Sequence, residues 1–474
     1  MIEARRQQRT FGDGFLSQLS GQVDDLWEDW MRHADRVLED EKILEPVYQV
    51  LAHRYPLSQK RGRQGTPAEV VLRLLVLKHL RNWSYRIVER EVKANLVYRE
   101  FTRVGAEKVP SHKTLEKLGL VVGPEVIQKI HQRIVAIAQE KGVVNGKKLR
   151  VDTTVVETNI HHPTDSSLLG DGVRVLTRTM KKVTEIAGEA GARLRDRSRS
   201  VKYRLIEIGR ASRGKSQQGK EKMKQAYGKL LAATRAVLGQ AKRFSEEIAS
   251  GVKRSAGVIE QAVLEGWKKE LDTIGARVEQ VIEQTKQRVF GGNNHVAGKL
   301  LSLFEPSTEA IRRGKASKPT EFGKMVKIQE TENQITIDYE VYEKRPADSD
   351  LLIPSIEVHR QTLGRTPHLA AADAGFYSAH NEATAQELGV QQVSIPNRST
   401  KSQERKRLQR KRWFRNGQKW RTGCEGRISV LKRRQGLNRC RYKGEPGMKR
   451  WVGLGIISDN LINIGRHLAQ QNSG

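Results

Sequence analysis

Two cysteines, Cys424 and Cys440, stand in a chain of 474 residues. They are too few for a disulfide framework or a cysteine-based zinc site, which suits a reducing cytosol. Long apolar runs are also missing. Stretches such as Val70 to Leu77 are interrupted by Arg73 and are too short to span a bilayer. The first residues, Met1 to Asp13, carry no apolar signal core. A soluble, intracellular chain with no membrane partner is therefore expected. Acidic residues fall well short of basic ones: 54 Asp and Glu face 86 Lys and Arg, a formal net charge of +32. Self-repulsion of that size is costly unless a polyanion neutralises it, and nucleic acid does so while releasing counterions. On charge alone, a passive nucleic-acid binder is a readier reading than an enzyme.

The length exceeds what one compact core usually serves, so two or three structural units are expected. Residues 1–146 read as helical. Thr66-Pro67-Ala68-Glu69 resembles a capping box with proline at the first helical position, and Val70, Val71, Leu74, Leu75, Leu77 and Leu80 follow as one apolar face. Ser84 opens a helix over Tyr85 to Val92, and Pro110-Ser111 opens another over His112 to Leu118. Three short helices with tight turns allow a helix-turn-helix unit, or a plain supporting bundle. Lys148 to Val156 is rich in β-branched residues and reads as a buried strand interrupted by Asp152. Residues 173–300 return to helix, rich in Lys, Arg, Glu, Gln and Ala, and form two to four long helices.

Strands return after residue 300. Lys324 to Ile328 and Ile335 to Tyr342 alternate with period two around Glu330 to Asn333, the pattern of a hairpin. A helix over Asp350 to Leu363 follows. His368 to Asp373 then reads as a short buried strand ending on an acid, and a helix to Leu388 and a strand over Gln392 to Pro396 come next. Residues 398–450 are the most basic part, with twenty Lys and Arg against Glu404, Glu425 and Glu445. Trp451 to Leu468 carries an apolar helical pattern that should pack back on the core.

Three acids stand out by context. Asp152 and Asp373 each end a strand-like run, and Glu425 lies inside the strongest positive charge in the chain. Each alone has a plainer explanation: a strand-end aspartate is often a turn or cap residue, and Glu425 can simply pair with Arg421 or Arg427. Together they supply the hard oxygen ligands that magnesium prefers, and two metals so held can drive in-line phosphoryl transfer.

Arg421, Glu425 and Lys432 stand as Arg-x3-Glu-x6-Lys. This resembles the Tyr-x2-Arg-x3-Glu-x6-Lys signature of bacterial insertion-sequence DDE transposases, with Gln418 in place of the tyrosine. Val151 to Ser166 is similar to the first-Asp block of that group, and Asp373-Ala374-Gly375-Phe376 to its second. Gly65 through Leu115, with Ser84-Tyr85-Arg86 and Tyr98-Arg99-Glu100-Phe101, resembles its N-terminal helical domain.

The resemblance implies an α/β fold: a ribonuclease-H-like catalytic domain with a mostly helical N-terminal domain and a long helical insertion. The boundaries expected are 1–146 for the helical domain, 147–172 and 301–474 for the catalytic domain, and 173–300 for the insertion. It implies DNA strand cleavage and strand transfer, with Asp152, Asp373 and Glu425 as catalytic ligands of Mg2+, for which Mn2+ would substitute. Arg421 and Lys432 would contact terminal phosphates, with Arg412, Lys419, Arg427 and Arg433 as further candidates for DNA contact. The partners implied are double-stranded DNA, as terminal inverted repeats and target, and further copies of the chain in a homodimer or larger assembly. A bacterial, nucleoid-associated cytoplasmic location follows from the same resemblance.

Other residues have plainer readings beside functional ones. His161, His162 and Asp165 could tune the site or simply belong to a loop. Glu157 lies five residues from Asp152 and should face the other side of the strand. Trp413 and Trp420 could stack on an unpaired base or pack in the core. Cys424 reads as a small packing residue. A non-catalytic DNA-binding derivative and a ribonuclease-H-like nuclease of another purpose are the rival functions.

Overall fold

Capping residues and strand periodicity turn directly into elements in the computed structural model of the chain, which describes residues 3–5, 24–54, 65–188, 190–214, 216–293, 295–312 and 319–472. The reading of Met1 to Asp13 falls mostly outside these residues. Seven helices come first among them: α1 (Asp29–Val37), α2 (Glu41–Ala52), α3 (Ala68–Leu80), α4 (Tyr85–Ala94), α5 (Leu96–Phe101), α6 (His112–Val121) and α7 (Pro124–Glu140). Strand β1 (Lys148–Glu157) follows, then α8 (Asp165–Ala187), α9 (Ser198–Ala211), α10 (Gln217–Ala249) and α11 (Val258–Thr285). Next come β2 (Glu309–Arg312), β3 (Thr320–Glu330), β4 (Thr336–Val341), α12 (Leu352–Leu363), β5 (Leu369–Ala371), α13 (Ala379–Glu387) and β6 (Gln392–Ser394). The chain finishes with α14 (Gln403–Arg410), α15 (Arg412–Arg434) and α16 (Gly444–Asn472). None of the described helices is long and apolar enough to cross a membrane.

The chain packs as two compact units, residues 1–159 with 311–474, and residues 160–310. The second unit is a bundle of α8 to α11 around Leu169, Leu176, Leu230, Phe244 and Val278. It begins ahead of the compositional shift at residue 173. Thr164 accepts from the backbone N–H of Ser167 at 3.1 Å and opens α8 eight residues earlier, through a capping box completed by Ser167. Asp165, one of the polar residues near the first acid, is buried in this bundle. Gln284 donates to it at 3.0 Å and Arg288 pairs with it. His161 lies 3.6 Å from Asp171 in the same unit.

The first unit joins a mixed sheet to the N-terminal helices. Among the described residues the sheet order is β2-β3-β1-β5-β6, with β4 paired to β3. β1 runs antiparallel to β3, with Asp152 opposite Ile328, and parallel to β5. The hairpin β3–β4 forms where period-two alternation places it, with a register shift at Gln329/Glu330.

Ser84 and Ser111 cap α4 and α6 as their positions predict, accepting from Ile87 and Thr114. The capping box expected at Thr66 does not form. Helix α3 starts after Pro67, and its first N–H groups, of Ala68 and Glu69, donate to the carbonyls of Glu3 and Ala4 at 2.9 and 3.0 Å. Glu69 instead turns inward to the buried Arg73 at 2.9 Å, which also binds Asp35 at 2.6 Å. The broad apolar face read for α3 extends right round the helix, every residue of which is buried. The second face is covered by α16, whose Leu454, Ile457, Leu461 and Ile464 share one core with α1 to α7.

That closure depends on glycine. A Cβ at Gly465 would overlap the backbone of Trp30 in α1. Alanine normally gains up to about 1 kcal/mol over glycine inside a helix. Here the overlap should reverse the sign, so Gly465→Ala is expected to lower stability by about 1–3 kcal/mol in denaturant unfolding. A stabilised Gly465→Ala chain would contradict the close packing.

Candidate active site

The parallel ladder of β1 and β5 leads toward both aspartates. In the parallel ladder Lys148 pairs with Leu369 and Arg150 with Ala371. The ladder stops there: Asp373 lies two residues past the end of β5, and Asp152, read as ending its strand, sits in the middle of β1, which runs on to Glu157 because β3 pairs with it that far. Asp152 shares the sheet face of Arg150, since side chains alternate along a strand. Asp152 is buried and accepts from the N–H of Thr153 at 2.7 Å. Asp373 accepts from the N–H of Gly375 at 2.7 Å, which starts the turn after β5.

Helix α15 crosses this face, and its partners can be followed along the strand order. Near its start, Ser394 at the end of β6 donates to the carbonyl of Phe414 at 2.9 Å. Gln418 donates to the carbonyls of Ala372 and Ser394. Arg150 on β1 donates to the carbonyl of Trp420 at 2.7 Å, and its guanidinium lies 4.9 Å from the Trp420 ring. Lys432 reaches Glu321 on β3 at 3.8 Å. At 3.6 residues per turn, Gln418, Arg421, Glu425 and Lys432 form one stripe along the helix. Glu425 is thus bracketed between contacts to the β5 and β6 ends and a contact to β3. Its own carboxylate is 57% exposed and pairs with Arg421 at 3.0 Å. Among the described residues, no three His, Cys, Asp or Glu side chains are gathered as a metal centre.

Two buried ion pairs lie under the helix. Arg150 binds Glu330, its register partner on β3, with Nε at 3.1 Å from the carboxylate. Arg427 binds both oxygens of Asp459 on α16 at 2.7 and 3.0 Å. Burial raises the Glu330 pKa, against the pull of Arg150. Burial also pushes Asp459 up to about 6; Arg427 opposes this and the charge of Glu330 adds to it. The contribution of Asp459 to stability is therefore full below the ordinary value of 3.8 and is lost as pH rises through about 6. Cys424, beside Glu425, is more than a filler. Its thiol lies against Glu330, and burial, followed by the charges of Glu330 and Asp152, raises its pKa well above the usual range.

The other candidates sort by exposure. Arg412, Lys419 and Arg433 are exposed on α15. Arg427 is turned inward, because Asp459 sits beneath it. Trp420 is half-buried under Arg150 and Lys148, and Trp413 meets Phe414 edge to face at 5.5 Å. Glu157 pairs in register with Gly323 and its backbone bridges to the segment around Arg439.

Sequence reasoning missed Asp348. Thr153 donates to it at 3.1 Å, and its other oxygen and Asp373 Oδ1 both lie within 3.2 Å of the point where a Cβ on Gly375 would sit. It also missed the network of Arg150, Glu330 and Asp459. A signal for Arg150 was present: it lies two residues before Asp152, so it shares its strand face and needs a buried partner.

Two stretches of the chain match known families. Residues 23–118 match a transposase domain, and residues 381–464 match a transposase DDE domain. The first covers α1 to α5 and most of α6; the second covers α15 with Glu425 and leaves out Asp152 and Asp373. Together these matches support an insertion-sequence DDE transposase, a protein of DNA transposition carried by a mobile element. No curated protein and no solved structure matches the chain significantly.

Breaking a buried ion pair leaves an uncompensated charge, whereas replacing both partners with apolar groups is often neutral. Arg427→Met or Asp459→Leu alone is expected to lower stability by about 3–5 kcal/mol in denaturant unfolding, with most of the loss recovered in the double variant. The exposed Arg433→Ala should stay within about 0.5 kcal/mol. An Arg427→Met chain as stable as the parent would remove the buried pair from this account.

Proposed function

We propose that the chain binds the ends of its own insertion sequence and catalyses cleavage and joining of DNA strands, with Asp152, Asp373 and Glu425 as its catalytic carboxylates. The observation that supports this reading is the pairing of β1 with β5 up to Arg150 and Ala371, two residues before each aspartate, beneath the helix that bears Glu425. Carboxylates on and just beyond neighbouring strands, under a helix that crosses the sheet, are consistent with a ribonuclease-H-like catalytic domain.

The donor chemistry suits a hard divalent cation. Asp152 and Asp373 offer oxygen atoms only, and Mg2+ takes one or two carboxylates plus water and substrate phosphate. Asp152 and Asp373 would hold it, joined by Glu425 once that carboxylate leaves Arg421. When bound, the metal supplies activation of a water or 3′-hydroxyl and charge stabilisation at phosphorus. The remaining work falls to the protein. Arg421, released from Glu425, can take a phosphate oxygen, and Lys432 lies on the same stripe. The exposed Arg412, Lys419 and Arg433 would add phosphate contacts that position the duplex without reading its sequence. Double-stranded DNA, as terminal repeats and target, would lie along this helix. Two or more copies would act together, since both ends of an element must be cut, and the work would take place on the nucleoid.

A supercoiled plasmid carrying candidate terminal repeats, incubated with the purified chain and Mg2+, tests the reading. The parent should cut at the repeats. Metal ligands contribute several kcal/mol to transition-state stabilisation, so Asp152→Asn, Asp373→Asn and Glu425→Gln should each lower the rate by about a thousandfold or more. Affinity for the same DNA should be retained in all three. Cleavage at near-parental rate in any one would remove that residue from the catalytic set.

A further inference from the structure

We propose that Gln418 is a positioning residue for Asp373. The inference rests on the metal-carboxylate reading of the site. Asp373 lies beyond Ala371, the last residue of the β5 ladder, so strand pairing does not hold it directly. The turn behind it is closed by the N–H of Gly375 on its carboxylate and the N–H of Phe376 on its carbonyl. In front of it, Nε2 of Gln418 donates to the carbonyl of Ala372 at 3.2 Å. The same amide nitrogen reaches the carbonyl of Ser394 and, at 3.2 Å, its hydroxyl. One side chain thus ties the residue before Asp373 and the end of β6 to helix α15.

The helix approaches closely enough for this to be a fixed contact. A Cβ on Gly417 would come within 2.7 Å of the Ser394 side chain and 3.3 Å of Leu369, so the neighbouring turn sits directly on the strand ends. Gln418 also stands seven residues before Glu425, nearly two helical turns, on the same stripe. Its amide therefore sets the distance between the strand end that bears Asp373 and the helix that bears Glu425. A tyrosine at this position offers one O–H and can donate to one acceptor, whereas the primary amide has two N–H donors for the clustered oxygens of Ala372 and Ser394. Partners that orient a metal-binding carboxylate typically change metal affinity by about tenfold to a hundredfold when removed.

The test uses the full chain with Mn2+ as the probe, its binding followed by the paramagnetic signal of the free ion, and Asp373→Asn as the reference. Gln418→Met keeps the length of the side chain and removes both donors. It should weaken the Asp373-dependent binding by about tenfold and raise the metal concentration for half-maximal DNA cleavage by the same factor, with a smaller change in the saturated rate. Gln418→Tyr should recover part of the affinity. A Gln418→Met chain that folds and binds Mn2+ as the parent does would overturn the proposal. If Gln418→Met does not fold, Gln418→Tyr decides alone: weaker binding than the parent supports the role, and equal binding overturns it. Parental binding that Asp373→Asn leaves unchanged would overturn the metal reading of Asp373 itself, and the proposal with it.

Discussion

The Arg150–Glu330 pair is the constraint from which the rest of the site follows. It joins two residues opposite one another on antiparallel strands, inside the protein, where neither charge can be left alone. A slip of one residue between β1 and β3 would send Arg150 to the other face of the sheet and strand Glu330. The pair therefore fixes which face of β1 looks toward α15. Asp152, two residues on, inherits that face. The third arm of Arg150 then seizes the carbonyl of Trp420, so the charge that sets the strand register also sets where the helix crosses.

A second buried pair, Arg427 with Asp459, ties the same helix to α16. That helix is the common partner of the N-terminal bundle and the sheet: its Leu454 and Ile457 pack with α1 to α7, and its Trp451 and Ile456 pack with Val156 and Ile328. Burial costs such pairs more than their attraction returns, as the raised pKa of Asp459 reflects. What they confer is a single arrangement. The helix can then expose Arg412, Lys419 and Arg433 on one side while holding Gln418 on the carbonyls of Ala372 and Ser394.

Much of this was legible in the sequence. Its β-branched residues located β1, which is buried along nearly its whole length, and period-two alternation located the β3–β4 hairpin. Serines at 84 and 111 marked helix starts because a capping hydroxyl acts locally. The signals that failed were those that tertiary partners could override. Thr66 lost its capping role to the backbone of Glu3 and Ala4, and Glu69 was claimed by Arg73. At the site, the spacing of Arg421, Glu425 and Lys432 was readable, since helical geometry fixes it. The inward turn of Arg427 was not, because its partner lies thirty-two residues away on another helix. Asp348 escaped for the same reason: nothing near it in sequence reveals that the chain returns it to Asp373.

The central proposal is that Asp152, Asp373 and Glu425 together hold divalent metal. Iron-directed backbone cleavage addresses it directly: Fe2+ is loaded into the purified chain on DNA carrying its ends, and ascorbate and peroxide generate radicals that cut only nearby backbone. Fragments ending close to residues 152, 373 and 425, suppressed together by excess Mg2+ and by Asp373→Asn, are the expected result. Cuts that spare any one of the three segments, or that survive Asp373→Asn, would contradict a shared site.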